Sequence, residues 1–190
     1  MKKMLLIMGL LFTAFVGIAQ TTQSVEFTLR YNLTLSRYEV YARPTTSATQ
    51  YNWGSSQVTV VTPSSLTNVA FAINSTAAGG WTDNSQAYDV QGLDFHGVGS
   101  TGLKVDLTAN TETLLFWFVL PGGACLPGLR LFINGTDPDS SIAGMNGGDF
   151  ANTMYSANDI LGDSNLYVRN YANTGTVCTS CNLIAPTLSK

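Results

Sequence analysis

Lysine and glutamate are almost missing from this sequence. Only 11% of its 190 residues are charged, against about 25% in an ordinary globular chain. Hydrophobic residues make up 45%. That balance excludes a disordered polyelectrolyte, which needs low hydrophobicity and high charge. Nine Lys and Arg stand against twelve Asp and Glu, for a net charge of −3. This argues against a nucleic-acid binder, which uses clustered basic side chains to displace counterions. Histidine occurs once, as His96. A serine triad needs an imidazole held beside the nucleophile by an acid. Asp94 is two residues away, but no Gly-x-Ser-x-Gly elbow exists, so His96 reads as a loop or strand histidine with a structural hydrogen bond. One His and three Cys also lack the spacing of a His-based zinc site. Long apolar runs are absent beyond the N-terminus. The longest, Leu114 to Leu120, is seven residues, where a membrane span needs roughly 20.

The N-terminus is different. Lys2 and Lys3 precede an apolar run from Met4 to Ile18, and Gly17 and Ala19 are the small residues before a cleavage point. Residues 1–19 therefore read as a secretory signal peptide. No Cys follows the cut, so a lipid anchor is not indicated. The expected product is an exported chain, 20–190, with a formal charge of −5. It would be extracellular or on the cell surface, with the periplasm as the alternative. Its size suits one domain, 20–182, followed by a tail, 183–190, that is a linker remnant or a last edge strand.

What is present points to strands. Thr and aromatic residues favour a pleated, half-buried surface, Asn, Ser and Gly favour turns, and good helix formers are scarce. Val25, Phe27, Leu29 and Tyr31 alternate with polar residues, and Leu33 and Leu35 extend the rhythm. Tyr38, Val40 and Ala42 alternate likewise until Pro44. Further strands are expected at Gln57–Val61, Val69–Ile73, Leu103–Leu107, Leu129–Ile133 and Leu166–Tyr171. Thr113 to Leu120 is nearly all apolar and predicts a central strand covered on both faces, with Trp117 in the core. Eight to ten short strands with frequent turns predict an all-β, antiparallel β-sandwich, immunoglobulin-like or jelly-roll. Phe150 to Leu161 predicts one short helix. Gly79 to Gly102 predicts a long loop with one strand inside. Its Gly97-Val98-Gly99-Ser100-Thr101-Gly102 matches a dinucleotide fingerprint. A strand pattern follows it where a helix is required, so it reads as a glycine-rich hairpin loop.

Three groups of residues carry candidate chemistry. Trp53 and Trp81, with Tyr51 and Asp83, sit among turn residues. Loop aromatics beside Asn and Asp can stack on sugar faces and bond hydroxyls, the alternative being that the rings cover the ends of the sandwich. Asp137, Asp139 and Asp149 offer oxygen ligands for a structural calcium. The alternative is turn capping by Asx side chains. A hydrolytic carboxylate pair at Asp137 and Asp139 is disfavoured, because neighbouring turn positions do not oppose two carboxylates across a substrate. Cys125, Cys178 and Cys181 predict one structural disulfide. It is either Cys178–Cys181 or Cys125 to one of them, pinning the tail to the Pro121-Gly122-Gly123 turn, with one thiol left over.

The signal ending in Ala19-Gln20, Phe27-Thr28-Leu29-Arg30-Tyr31, Tyr38-Glu39-Val40-Tyr41, the strand Ser55 to Val61 and the apolar strand Leu114 to Leu120 together resemble a known type. They are similar to the cohesin-like or carbohydrate-binding-module-like β-sandwich domains of bacterial cell-surface proteins, especially adhesins exported by the type IX route. The likeness spans about residues 24–182. On this reading the chain is expected to depart from such adhesins, with neither adhesive repeats nor a C-terminal sorting domain. The resemblance implies a secreted, non-catalytic protein acting in adhesion or structural assembly, with a carbohydrate-binding module as the alternative. Partners would be a surface glycan, a protein or further copies of itself, and neither nucleic acid nor membrane.

Overall fold

The computed structural model describes residues 23–76, 80–157, 165–172 and 175–178. The signal segment 1–19, Cys181 and the tail lie outside the described residues. Two sheets face each other in a β-sandwich. The first contains β1 (Val25–Asn32), β2 (Arg37–Pro44), β4 (Asn74–Ser75), β8 (Thr113–Phe118) and β11 (Tyr167–Asn170). Its order is β11-β1-β2-β8-β4. The second contains β3 (Ala48–Pro63), β5 (Thr82–Val90), β6 (Leu93–Ser100), β7 (Leu103–Leu107), β9 (Arg130–Leu131) and β10 (Thr153–Ser156). Pairing is antiparallel except for β11, which lies parallel to β1. Among the described residues the helical structure is one 3-10 turn, Pro121–Gly123.

Period-two alternation explains β1 and β2. Val25, Phe27 and Leu29 face inward with Tyr38, Val40 and Ala42, and all are buried. Opposite them stand Val58 and Val60 of β3 and Val98 of β6 in the same core. β3 organises the second sheet. β6 and β7 run along one edge of it, and β9 and β10 along the other. The outer face of this sheet carries a smaller core of Val61, Ala87, Val90, Phe95, Phe132, Met145 and Phe150, roofed by the 132–152 loop. Asn152 anchors that loop. Its Oδ1 accepts from the Thr59 N–H at 2.8 Å and its Nδ2 donates to Phe132 O at 2.7 Å.

Several expectations need correction. Leu33 and Leu35 do not continue β1. They sit exposed in the turn to β2, where Asn32 Oδ1 accepts from the Thr34 and Leu35 amides. The Val69–Ile73 alternation is not a strand but part of a strap, 64–73, that crosses from β3 to β4. The long loop ending at Gly102 is instead a hairpin, β5–β6, turned at Gln91-Gly92. Bulges in β5 broke its sequence rhythm. The short helix expected at Phe150 to Leu161 is overturned over its described part. Residues 153–156 form β10, because the edge of β3 offers ladder partners that outweigh local propensity. In β8 a register shift lets Leu115 and Phe116 both turn inward, while Trp117 points outward. The apolar run is thus a bulged strand, and Trp117 is half-buried on the outer face.

Candidate functional site

The tryptophans expected to meet a sugar are in the core. Trp53, on β3, and Trp81, just before β5, are each 2% exposed. Trp53 donates its indole N–H to Ser56 Oγ, and Trp81 packs on Phe116. Tyr51 is half-buried in β3. Asp83 is also enclosed. It lies 2.8 Å from His96 Nδ1, accepts from the Phe71 amide at 2.7 Å and from Gln86 Nε2 at 2.9 Å. The four residues form no exposed platform, since strand pairing turned both indoles inward. Asp83, and not Asp94, orients the single described histidine.

The acidic trio is likewise spent on local structure. Asp137 accepts both Arg130 guanidinium nitrogens, at 2.6 and 2.7 Å, and the Ile133 amide. Asp139 caps Ser141, and Asp149 caps Ala151. Among the described residues no three His, Cys, Asp or Glu side chains gather as a metal group. The disulfide is Cys125–Cys178. Of the pairings left open by the sequence, it is one of the two that tie the late chain to the Pro-Gly-Gly turn.

Much of the remaining charge is gathered on one sheet face. All three glutamates of the chain and four of its five arginines lie on or beside the outer face of the first sheet. Alternation puts them there. With Phe27 and Leu29 inward, Glu26, Thr28 and Arg30 face out on β1, and Arg37, Glu39, Tyr41 and Arg43 do so on β2. Cross-strand pairing sets Glu26 opposite Arg43 and Arg169, and Glu39 opposite Trp117. Glu26 accepts from Arg43 at 2.5 Å and from Arg169 at 2.6 Å. Glu39 accepts from Arg37 at 2.7 Å and from the Tyr41 hydroxyl at 2.6 Å. Glu112 accepts from Arg30 and from the Tyr171 hydroxyl. Three guanidiniums lie over rings: Arg30 on Tyr41 at 4.5 Å, Arg37 on Trp117 at 4.6 Å and Arg43 on Tyr171 at 3.8 Å.

The electrostatics are fixed in sign. Partial desolvation raises the Glu39 pKa, but hydrogen bonds from Tyr41, Arg37 and Asn32 outweigh it and hold the carboxyl below its usual range. Glu26 and Glu112 are held low in the same way by their arginine and tyrosine partners. Burial, with the bond to Glu39, pushes the Tyr41 phenol up to about 12. Tyr171 is pushed up by burial and by Glu112. A proton shuttle works with a pKa near the ambient pH. These groups instead keep constant charge across the physiological range, which suits recognition. The layering matters too: each arginine is more exposed than its carboxylate partner. Arg169 is 70% exposed over Glu26 at 11%, and Arg30 is 50% exposed over Glu112 at 31%. The outermost charge of this face is positive on an otherwise acidic chain. One sequence signal could have found it: a chain poor in charge places Arg30, Arg37, Glu39 and Arg43 at the outward positions of adjoining strands. Compared with known proteins, the chain matches no family model, no curated protein and no solved structure.

Proposed function

We propose that this chain is an exported, non-catalytic module of the cell surface or extracellular matrix. It acts in adhesion, using the outer face of the first sheet to hold a surface glycan that bears acidic groups. The observation that carries this reading is the guanidinium layer: Arg30, Arg37 and Arg43 each seated on a ring, with Arg169 beside them. Side chains already ordered by ion pairs and rings lose little freedom on binding. Guanidinium N–H groups suit carboxylate and sulfate oxygens bidentately, while the ring edges and the part-exposed Glu112 suit C–H faces and hydroxyls. Export is supported by the Cys125–Cys178 bond, since disulfides persist in oxidising compartments. The resemblance to cohesin-like and carbohydrate-binding-module-like surface domains fits the same role.

The test is affinity electrophoresis of the purified protein through carboxylated, sulfated and neutral polysaccharides at two salt concentrations. Retardation by the acidic polymers, weakened by salt and lost in an Arg30→Ala, Arg169→Ala double variant, is the expected result. Equal mobility in all three gels, or retardation untouched by the double variant, sinks the reading.

A second reading, structural assembly, is favoured by β11. This edge strand borders a groove of about 390 Å³ lined by Ile133, Asn134, residues 167–170 and Ala172, and Val168 is 56% exposed there. An uncovered edge can accept a strand from another copy. Light scattering and negative-stain microscopy should then show oligomers that Val168→Lys dissolves. A monomer at all concentrations removes this reading.

A further inference from the structure

One end of the sandwich carries an apolar cleft, remote in character from the charged face. It has a volume of about 430 Å³ and lies between the 64–73 strap and the 119–126 segment. Leu66, Val69, Phe71, Val119, Leu120 and Leu126 line it, and no charged residue does. Clefts of this size take a small ligand or a few side chains.

The walls are held firmly. Phe71 is stacked between His96, at 3.8 Å, and Phe118, at 4.7 Å. The Tyr38 hydroxyl accepts from the Leu126 amide at 2.5 Å and donates to its carbonyl at 3.1 Å. Gly123 O accepts from the Tyr31 hydroxyl. The rim, by contrast, exposes apolar surface: Val69 at 50% and Val119 at 43%.

Cys125 lines this cleft and is bonded to Cys178. The chain therefore passes the rim at Cys178. Beyond it run Thr179-Ser180-Cys181-Asn182 and then Leu183-Ile184-Ala185-Pro186-Thr187-Leu188. The first four residues are a short spacer. The next six carry no charge and have Leu, Ile, Pro and Leu at four positions.

We propose that the cleft is the docking site of the chain's own segment Leu183–Leu188. Three observations bear on the choice of occupant. The five steps from Cys178 to Leu183 reach at most roughly 17 Å, enough to turn back into a cleft that begins at the adjoining cysteine. A tether this short presents the segment at an effective concentration on the order of millimolar, which a free partner must exceed. Both surfaces are apolar and uncharged, so burial needs no compensating ion pair. The proposal is independent of the glycan-binding reading and involves none of its residues.

The experiment uses the full chain, with a photoreactive benzophenone amino acid in place of Ile184. Irradiation should join position 184 to residues 65–72 or 119–126 of the same chain, read by mass spectrometry of the monomer band. In parallel, a Leu183→Asp, Ile184→Asp variant should exchange its Phe71 and Ala72 amide hydrogens at least about threefold faster than the parent, as local protection is lost. Its retardation by acidic polysaccharides should stay unchanged, which separates failure of this proposal from failure of the other. A crosslink elsewhere, a crosslink between two chains, no crosslink, or unchanged exchange at the strap overturns it.

Discussion

Gly102 shows how much one missing Cβ can decide. It sits between β6 and β7 with φ +87°, and a Cβ there would lie 2.1 Å from Trp53 O. The approach lets β6 and β7 both pair along β3. Gly102→Ala should therefore cost at least about 2 kcal/mol, from backbone strain and the clash together, read as a lower urea midpoint at unchanged slope. Asn152 is the polar counterpart. Asn152→Ala would strand the buried Thr59 amide and loosen the 132–152 loop, at an expected cost of about 2–3 kcal/mol in the same assay. Neither role was legible in sequence. The strand pattern read after the glycine motif is present as β7. Which of the motif's glycines mattered depended on a strand some fifty positions earlier. Trp53 and Trp81 misled for a related reason: turn-like neighbours suggested exposure, and burial was decided by partners distant in sequence.

At the scale of elements, the charged layer on β1, β2, β8 and β11 is also a stability device. It roofs Thr28, which is 1% exposed, on a sheet face that among the described residues carries no covering loop comparable to 132–152. Glu26, Glu39 and Glu112 all have folded-state pKa values below the ordinary 4.5. A depressed carboxylate stabilises the fold above its unfolded value and loses that contribution as pH falls through the folded values. The denaturation midpoint should hold steady above about pH 5 and fall below the ordinary carboxylate range. Glu39→Gln should flatten part of that acid limb. An unchanged limb would show that the layer adds nothing to stability. The strands under this layer were the easiest to read, because one wet face and one dry face give clean alternation. The β5–β6 hairpin was hard to read, because bulges and a run of Asp, Asn and Gly hid its period. Residues 150–157 were misjudged because the open edge of β3, and not their own composition, made them extended.

For the whole molecule, the Cys125–Cys178 bond joins positions 53 residues apart. In the loop-entropy account a closure of this length contributes roughly 4 kcal/mol. A Cys125→Ser, Cys178→Ser variant should lose about 2–4 kcal/mol, measured by chemical denaturation against the oxidised parent. The sandwich as a class was legible from composition, alternation and turn frequency. The pairing of the cysteines was not, since it depends on two loops meeting with their Cα atoms 5.6 Å apart. The candidate site was legible only in its ingredients, which the sequence scattered over 26 to 171 and the sheet collected onto one face.

The parallel relation of the outer strands bears on mechanical load. β2 is antiparallel to both β1 and β8, so β1 and β8 run in the same direction. A pull applied ahead of Val25 enters at the start of β1. A pull applied beyond Cys178 is passed by the disulfide to Cys125, just past the end of β8. The two forces act at opposite ends of the β1-β2-β8 ladder and drag the strands lengthwise past one another. The hydrogen bonds along that ladder then bear the tension together instead of opening one by one. With the disulfide intact, the β11 edge and everything between Cys125 and Cys178 lies outside the line of tension. Reducing the bond would bring that stretch into it, and the chain would yield at lower force and with a longer extension.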